Sequence, residues 1–208
     1  MKIEKLVLGQ ERTNCYVISH NNTAIVIDPA CNGEIIEALI NKNNCQLKAI
    51  FLTHGHQDHI GAVDYLYNNH KCPVYAHYRE RDIIEARDMS KVINDIPHLK
   101  NVKVTVPVKY FDKEFVDFNI DGILLDAVYT PGHSEGSCIY VLRDYQRIFS
   151  GDTLFKGSIG RVDLPTSNKV AMKESLNLLR SFKDTCKVLP GHGSDTTIGQ
   201  EKKENIYF

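Results

Sequence analysis

No stretch of the 208-residue chain approaches the length of apolar sequence that crosses a membrane, and neither sign of charge predominates. Because a transmembrane helix needs about 20 consecutive apolar residues, a membrane protein is excluded. The 25 Lys and Arg residues stand against 26 Asp and Glu residues, which gives a formal net charge of -1. Without a basic excess, nucleic acid and anionic lipid surfaces are poor partners, and we expect a small-molecule ligand.

Cysteine pairs in a CxxC spacing are also lacking. The six cysteines are widely spaced, and several lie inside apolar runs, which predicts reduced, buried thiols rather than disulfides or a cysteine zinc site. The opening sequence MKIEKLVLGQ is interrupted by Glu4 and Lys5, so it is read as a first strand and not as a signal peptide. We therefore expect a cytoplasmic protein.

Apolar patterning predicts a chain of alternating strands and helices. Strands are expected at residues 3–8, 15–19, 24–27, 47–52, 73–76, 103–106, 115–118, 123–129, 138–142, 147–150 and 186–189. Helices are expected at residues 34–40, from Ile60 onward, at 79–88 and around 172–179. Two sheets with helices outside them would bury these strands best. Because no internal linker, repeat or low-complexity tract is found, residues 1–208 are expected to form a single domain.

Residues 79–101 are the most charged and least strand-like part of the chain. Two interpretations stay open for this segment. It could be a lid over a functional site, or a solvated helix without a role.

The densest chemical signal is the run THGHQDH at residues 53–59, directly after an apolar strand. His54 and His56 are two positions apart, so on an extended segment they point the same way, and Gly55 between them permits close backbone approach. Asp58 and His59 lie where the chain turns into a helix and are aimed differently. This arrangement suits two adjacent metal ions, the alternative being a helix cap with surface histidines.

Three more ligand-type residues follow apolar strands, each beside glycine or proline. They are His133 in TPGH, Asp152 in SGD and His192 in PGHG. Strand ends at one edge of a sheet are where folds collect functional groups. Together with the first run, they supply three histidines for one site, an aspartate and two histidines for a second, and a carboxylate able to bridge.

These motifs, THGHQDH with TPGHSEGS, SGDTLF and PGHG in this order, resemble the metallo-β-lactamase superfamily. The resemblance implies an αβ/βα sandwich of two mixed sheets flanked by helices, with a dinuclear metal site at one sheet edge. It implies that the first ion is held by His54, His56 and His133. It implies that the second is held by Asp58, His59 and His192, with Asp152 as the bridge. Asp28 takes the place of a supporting aspartate, or is a turn residue beside Pro29.

A metal site of this kind implies hydrolysis. A divalent ion lowers the pKa of bound water from about 15.7 towards about 7, so hydroxide is available to attack a carbonyl or thioester carbon. Asp58 is expected to orient this nucleophile. Imidazole and carboxylate ligands suit divalent zinc, which we expect, with iron and manganese as alternatives, and the lack of thiolate ligands argues against a closed structural site.

The run GDTLFKGSIGRVDLP resembles the glyoxalase II-like branch, the hydroxyacylglutathione hydrolases, which implies a 2-hydroxyacyl thioester as substrate. Arg161 lies where that branch carries a basic residue that holds the carboxylate of the thiol carrier. Here Val162 and Asp163 follow it instead of an aromatic contact, and no C-terminal helical domain is expected. The alternative for Arg161 is a structural salt bridge.

Several other functions remain as alternatives. A mononuclear-iron persulfide dioxygenase would use ligands resembling only His54, His133 and Asp152. A nuclease would bring a basic face, a β-lactam hydrolase would usually be exported, and a non-catalytic metal-binding module would need no open site.

The remaining histidines are interpreted as ordinary polar residues. His20 lies in a turn, His70 near a helix end and His98 in a polar stretch, so none is expected to be a ligand. His77 follows a short strand and could face the cleft, although a surface position is expected.

Overall fold

A computed structural model describes residues 1–92 and 98–208, in which the strands form two six-stranded sheets. The first sheet contains β1 (Lys2–Leu8), β2 (Thr13–His20), β3 (Thr23–Ile27), β4 (Gln46–Phe51), β5 (Val74–His77) and β6 (Val108–Phe111). The second contains β7 (Phe115–Ile120), β8 (Ile123–Tyr129), β9 (Cys138–Leu142), β10 (Arg147–Gly151), β11 (Lys187–Pro190) and β12 (Thr196–Thr197). The helices are α1 (Gly33–Lys42), α2 (Gln57–Ile60), α3 (Val63–His70), α4 (Arg81–Ile84), α5 (Lys169–Arg180) and α6 (Ile198–Glu204).

Both sheets are mixed. In the first, β1 to β3 pair antiparallel and β3 to β6 pair parallel, in sequential order. In the second, whose order is β12-β11-β10-β9-β8-β7, only β10 and β11 pair parallel. Parallel pairing needs crossover connections. Three of them contain α1, α3 and α5, and the one between β5 and β6 contains α4.

Three hydrophobic layers hold the sheets and helices together. A central cluster, with Phe51 and Tyr140 among its members, lies between the two sheets. A second cluster packs α1 and α3 on the first sheet, and a third packs α5 and α6 on the second. This arrangement confirms the predicted αβ/βα sandwich.

The strands that precede ligand-type residues end at the same edge of the sandwich. β3 and β4 run parallel in the first sheet. β8, β10 and β11 run in one direction in the second, since β9 is antiparallel to both β8 and β10. The segments that follow these strands therefore meet across the gap between the sheets.

The strand predicted at residues 103–106 is wrong. The Val104 N–H donates to the carbonyl oxygen of Ile84 at 2.8 Å, and the Thr105 N–H donates to the Asp64 carboxylate at 3.0 Å. Because these backbone groups are satisfied outside the sheet, no ladder forms until β6, beyond Pro107.

The helix predicted at residues 79–88 is shorter than expected. A 3-10 turn, Tyr78–Glu80, leads into α4, which ends before Glu85. The chain then reverses through Ala86, whose φ of 49° lies in the left-handed region that stops a helix. The lid interpretation of residues 79–101 includes residues 93–97, which lie outside the described residues, so the structure does not test it.

The surface position predicted for His77 is also wrong. Only 3% of this residue is exposed, and its ring stacks on Tyr129 with centroids 4.4 Å apart. Burial lowers the pKa of His77 to about 4, so the ring is neutral.

Two elements near the C-terminus, β12 and α6, are absent from the sequence prediction. The Thr197 hydroxyl accepts a hydrogen bond from the Gln200 N–H at 3.1 Å and caps α6. This Thr-x-x-Gln pattern matches the sequence signature of a capping box, and it could have revealed the helix.

All six cysteines lie within the described ranges. All are free thiols and five of them are buried, as predicted. No helix there is long and apolar enough to span a bilayer.

The central cluster predicts the effect of truncating Phe51. This fully buried ring contacts Tyr75 and Tyr140, each with centroids 5.2 Å apart. Phe51→Ala should lower the free energy of unfolding by about 3–5 kcal/mol, because it removes buried apolar surface and leaves a cavity. Denaturant unfolding of the metal-free protein measures this loss. The control is Phe115→Ala on edge strand β7, where the residue is 53% exposed and the loss should stay within about 0.5 kcal/mol. Equal losses in the two variants would contradict this account of the core.

Candidate metal centre

Three imidazoles form a first cluster between the sheets. His54 and His56 follow β4, and His133 follows β8. One nitrogen of each lies within 4.8 Å of the other two, and His56 Nδ1 is 2.9 Å from His133 Nε2. All three side chains are buried. The two-residue spacing in the sequence thus places His54 and His56 on one side of the loop, as predicted.

A second cluster lies beside the first. Asp58 and His59 belong to α2, and His192 follows β11. His59 Nε2 lies 3.3 Å from His192 Nε2 and 3.4 Å from Asp58 Oδ2. His192 Nε2 lies 3.2 Å from the same carboxylate oxygen. The ligand atoms of these three side chains therefore lie within 4.8 Å of one another, close enough to bind one ion.

Asp152, after β10, lies between the two clusters. Its Oδ2 is 3.4 Å from His133 Nε2 in the first cluster, and its Oδ1 is 3.5 Å from His59 Nε2 in the second. One carboxylate thus faces both groups. The structure brings together all seven residues that the sequence singled out as ligands.

The outward-facing ring nitrogens of His133 and His192 have fixed partners. His133 Nδ1 lies 3.0 Å from the carbonyl oxygen of Arg161, and His192 Nδ1 lies 3.1 Å from that of Glu11. A carbonyl oxygen only accepts hydrogen bonds, so Nδ1 of each ring must carry a proton. In the neutral rings, Nε2 then presents a lone pair to the interior of the site.

These inward lone pairs fit a divalent cation. Several imidazole nitrogens and carboxylate oxygens crowd together there, and such a set of acceptor atoms is stabilised when positive charge lies between them. Within the described ranges, the buried atoms His54 Nε2 and Asp152 Oδ1 have no hydrogen-bond partner. The donor set, five imidazoles and two carboxylates, is one that zinc, iron and manganese accept.

The electrostatics of the two clusters differ. Burial and the neighbouring imidazoles lower the pKa of His54 far below its ordinary value, which keeps its ring in the neutral, ligand form. Burial would lower the pKa of His59 as well, but Asp58, Asp152 and Asp28 outweigh it and raise the pKa to about 10. The three carboxylates therefore create a strongly negative potential at the second cluster, where a metal ion would replace the proton.

Asp58 stays ionised although it is partly buried. Burial opposes the charge, but the imidazoles of His59 and His192 and the hydroxyl of Thr13 hold its pKa well below the ordinary value. The Thr13 hydroxyl donates to Asp58 Oδ2 at 2.8 Å.

Asp28, after β3, supports the second cluster from outside. Its Oδ2 lies 3.0 Å from His59 Nδ1 and accepts the Thr53 hydroxyl at 2.7 Å, while Oδ1 accepts the Thr53 N–H at 2.8 Å. The residue has a φ of 50°, in the left-handed region that Asp tolerates better than most residues. Asp28 is therefore a buried partner of His59 and Thr53, rather than a turn residue alone.

Arg161 contributes its backbone to the first cluster through the carbonyl that holds His133. Its guanidinium forms two parallel hydrogen bonds with Asp163, at 2.9 and 3.1 Å, and both side chains are exposed. The side chain therefore makes a salt bridge at the rim of the site.

Other polar residues at the site escaped the sequence analysis. Thr13 and Glu11 each lie in ordinary turn or strand sequence, and Glu80 is a buried carboxylate beside both ligand loops. No local pattern distinguishes them, because their partners lie far away in the sequence. Of the histidines outside the clusters, His98 Nε2 contacts Glu11 Oε1 at 2.7 Å and His70 Nε2 lies 3.3 Å from Glu37 Oε1.

A family model described as the metallo-beta-lactamase superfamily matches residues 8–192. The match spans most of the chain, and the protein belongs to this superfamily. Membership, together with the histidine and aspartate clusters, supports a metal-dependent enzyme of the metallo-hydrolase class.

Curated relatives align over the whole chain. The probable metallo-hydrolase YqgX of Bacillus subtilis is 33% identical over 210 residues, covering 100% of this chain and 98% of that protein. The hydroxyacylglutathione hydrolase GloC of Haemophilus influenzae is 30% identical over 211 residues, with the same coverage.

Solved structures agree with the fold. The BLEG-1 B3 metallo-beta-lactamase has a TM-score of 0.90 and 32% identity, covering 99% of each chain. TTHA1623 in a di-iron-bound form has a TM-score of 0.84 and 31% identity, covering 99% of this chain and 100% of that one.

The contacts of Asp28 predict that Asp28→Asn weakens metal binding. Asparagine keeps the shape and tolerates the positive φ, but it removes the negative charge and one acceptor that hold His59 and Thr53. Affinity for zinc, measured by competition with a chromophoric chelator, should fall by about 10- to 100-fold. Asp117→Asn on the exposed face of β7 is the control and should bind zinc like the wild type. Unchanged affinity in Asp28→Asn would remove its supporting role.

Proposed function

We propose that the protein is a dinuclear metal-dependent hydrolase that cleaves a 2-hydroxyacyl thioester, as glyoxalase II does. The observation that carries this proposal is the position of Asp152, whose carboxylate lies near both ligand clusters. Its Oδ2 is 3.4 Å from His133 Nε2 and 3.6 Å from His192 Nε2, and its Oδ1 is 3.5 Å from His59 Nε2. A mononuclear site would leave the second cluster without a purpose. In the proposed assignment His54, His56 and His133 hold one ion, Asp58, His59 and His192 the other, and Asp152 bridges them.

When bound, the ions would supply positive charge that lowers the pKa of water and polarises the substrate carbonyl. The chain's own residues would orient the reactants. We assign to Asp58, which accepts a hydrogen bond from the Thr13 hydroxyl, the role of orienting the attacking water. The proposed metals are zinc, with iron or manganese as alternatives, and the di-iron form of the similar TTHA1623 keeps iron among them.

Two features support a small thioester as the substrate. GloC, which aligns over the whole chain, carries the name of a thioester hydrolase. A cavity of about 300 Å³ adjoins Asp58 and is lined largely by apolar side chains, among them Leu8, Ala30, Cys31 and Leu99. This cavity would accept the acyl group. The free thiols are consistent with the reducing environment of the cytoplasm, where we propose that the enzyme acts.

Elemental analysis combined with a substrate panel tests the proposal. Purified protein should contain two divalent ions per chain and should hydrolyse S-lactoylglutathione in preference to a chromogenic cephalosporin, which tests the β-lactamase alternative. Asp58→Ala should lower kcat/KM by at least about 100-fold, since losing a ligand costs no less than losing an outer partner of one.

His70→Ala is the control, because this ring pairs with Glu37 away from both clusters, and metal content and turnover should match the wild type. One iron per chain with no second metal would favour the persulfide dioxygenase instead. Near wild-type turnover of metal-loaded Asp58→Ala would remove its catalytic role.

The rim position of Arg161 predicts a split between charged and uncharged substrates. If its guanidinium holds a carboxylate of the thiol carrier, Arg161→Ala should raise KM for S-lactoylglutathione by about 10-fold or more, with kcat less affected. The uncharged S-lactoyl-N-acetylcysteamine should be hydrolysed as by the wild type. Asp163→Asn, which releases the guanidinium from its salt bridge, should lower KM for the anionic thioester.

Steady-state kinetics on both substrates measures these effects. Equal losses on charged and uncharged thioesters would assign Arg161 a structural role in the loop whose carbonyl holds His133.

A further inference from the structure

One fully buried carboxylate has no role in the site described so far. Glu80 ends the 3-10 turn that follows β5, and none of its surface is exposed. It is not among the ligand-type residues that converge on the two clusters. Burying a carboxylate is unfavourable, so hydrogen-bond partners must offset the loss of its contacts with water.

The partners of Glu80 are three hydrogen-bond donors. Its Oε2 accepts the Gly55 N–H at 2.6 Å, and its Oε1 accepts the Gly136 N–H at 2.6 Å and the Ser134 hydroxyl at 2.7 Å. Both oxygens therefore face N–H groups, which can only donate. This geometry suits an ionised carboxylate, and charge-assisted bonds of this kind are stronger than neutral ones.

These donors belong to the two loops that carry the first cluster. Gly55 lies between His54 and His56, whereas Ser134 and Gly136 directly follow His133. The loops leave different sheets, one after β4 and the other after β8. A single carboxylate thus fastens together the two segments that supply all three imidazoles.

The two glycines leave the space that this carboxylate occupies. A Cβ at Gly55 would lie 3.0 Å from Glu80 Oε2, and one at Gly136 would lie 2.8 Å from Glu80 Oε1. Neither glycine has a positive φ, so backbone conformation does not require glycine at these positions. Close approach of neighbouring side chains does: Glu80 at Gly136, and Glu80 together with Ile84, whose Cγ1 would lie 2.9 Å from the added Cβ, at Gly55.

We propose that Glu80 is a positioning residue that sets the spacing of His54, His56 and His133 for the first metal ion. The proposal rests on the metal assignment of the proposed function. Glu80 acts through backbone amides, in contrast to Asp28, which contacts the ring of His59 directly. Its loss should therefore weaken the first site selectively.

The test is zinc binding by the metal-free protein, measured by chelator competition. Glu80→Gln keeps the size of the side chain but turns an amide NH₂ towards one of the donors. It should bind one of the two zinc ions about 10- to 100-fold more weakly, as for other partners outside the ligand sphere. Glu135→Gln, an exposed carboxylate in the same loop, is the matched control and should bind like the wild type.

Two backgrounds identify the affected site. With His192→Ala, which disables the second cluster, Glu80→Gln should still weaken zinc binding. With His56→Ala, which disables the first cluster, it should have no effect. Cobalt absorption spectra of the same proteins should change only where the first cluster is intact.

The outcomes separate this proposal from the proposed function. A wild type that binds no metal would overturn both. A wild type that binds two ions, with unchanged affinities in Glu80→Gln or with only a lower melting temperature of the metal-free protein, would overturn the role of Glu80 alone. If Glu80→Gln does not fold, Ser134→Ala removes one of the three donors, and unchanged zinc affinity in that variant would overturn the proposal equally.

Discussion

Lone pairs of buried imidazoles and carboxylates face one another at the edge of the sandwich, and holding them there is the constraint on which the surrounding structure depends. Such groups repel each other unless a cation lies between them, so each must be kept in place from outside. His59 is held by Asp28, His192 by the carbonyl of Glu11 and His133 by the carbonyl of Arg161. The fold supplies these outer partners from segments that are far apart in the sequence.

The ligand-bearing loops are held by the hydrophobic core beneath them and by buried carboxylates behind them. The hydrophobic layers lie beneath the site, and Phe51 of the central cluster is the last residue of β4, the strand that leads into the ligand run. Carboxylates placed behind the ligands then fix the loops above that core. Asp28 takes this position at the second cluster, and Glu80 takes it at the first. Each of these two buried carboxylates therefore holds ligand segments at one of the two proposed metal positions.

The exposed rim of the site, at Arg161 and Asp163, differs from its buried base, at Asp28 and Glu80, in how the charged groups are held. Arg161 and Asp163 form an exposed ion pair, whose contribution to stability is small because water and salt screen it. Its partners can exchange when a charged ligand arrives. The contacts of Asp28 and Glu80 cannot exchange in this way, because both carboxylates are buried and water cannot reach them to replace their partners. Substrate selection is therefore expected at the rim and metal binding at the base.

The sequence by itself determined the elements and the ligand-type residues. Alternating apolar runs located most strands, and the HxHxDH spacing placed four polar side chains on one short segment that runs from a loop into α2, because both signals are local in the chain. The strand predicted at residues 103–106 failed for the opposite reason, since the backbone of Val104 and Thr105 is satisfied by Ile84 and Asp64 from other segments. Only the tertiary structure decided that His77 is buried and that Glu80 joins two loops. Each of these depends on contacts between residues distant in sequence, and no local pattern encodes such contacts.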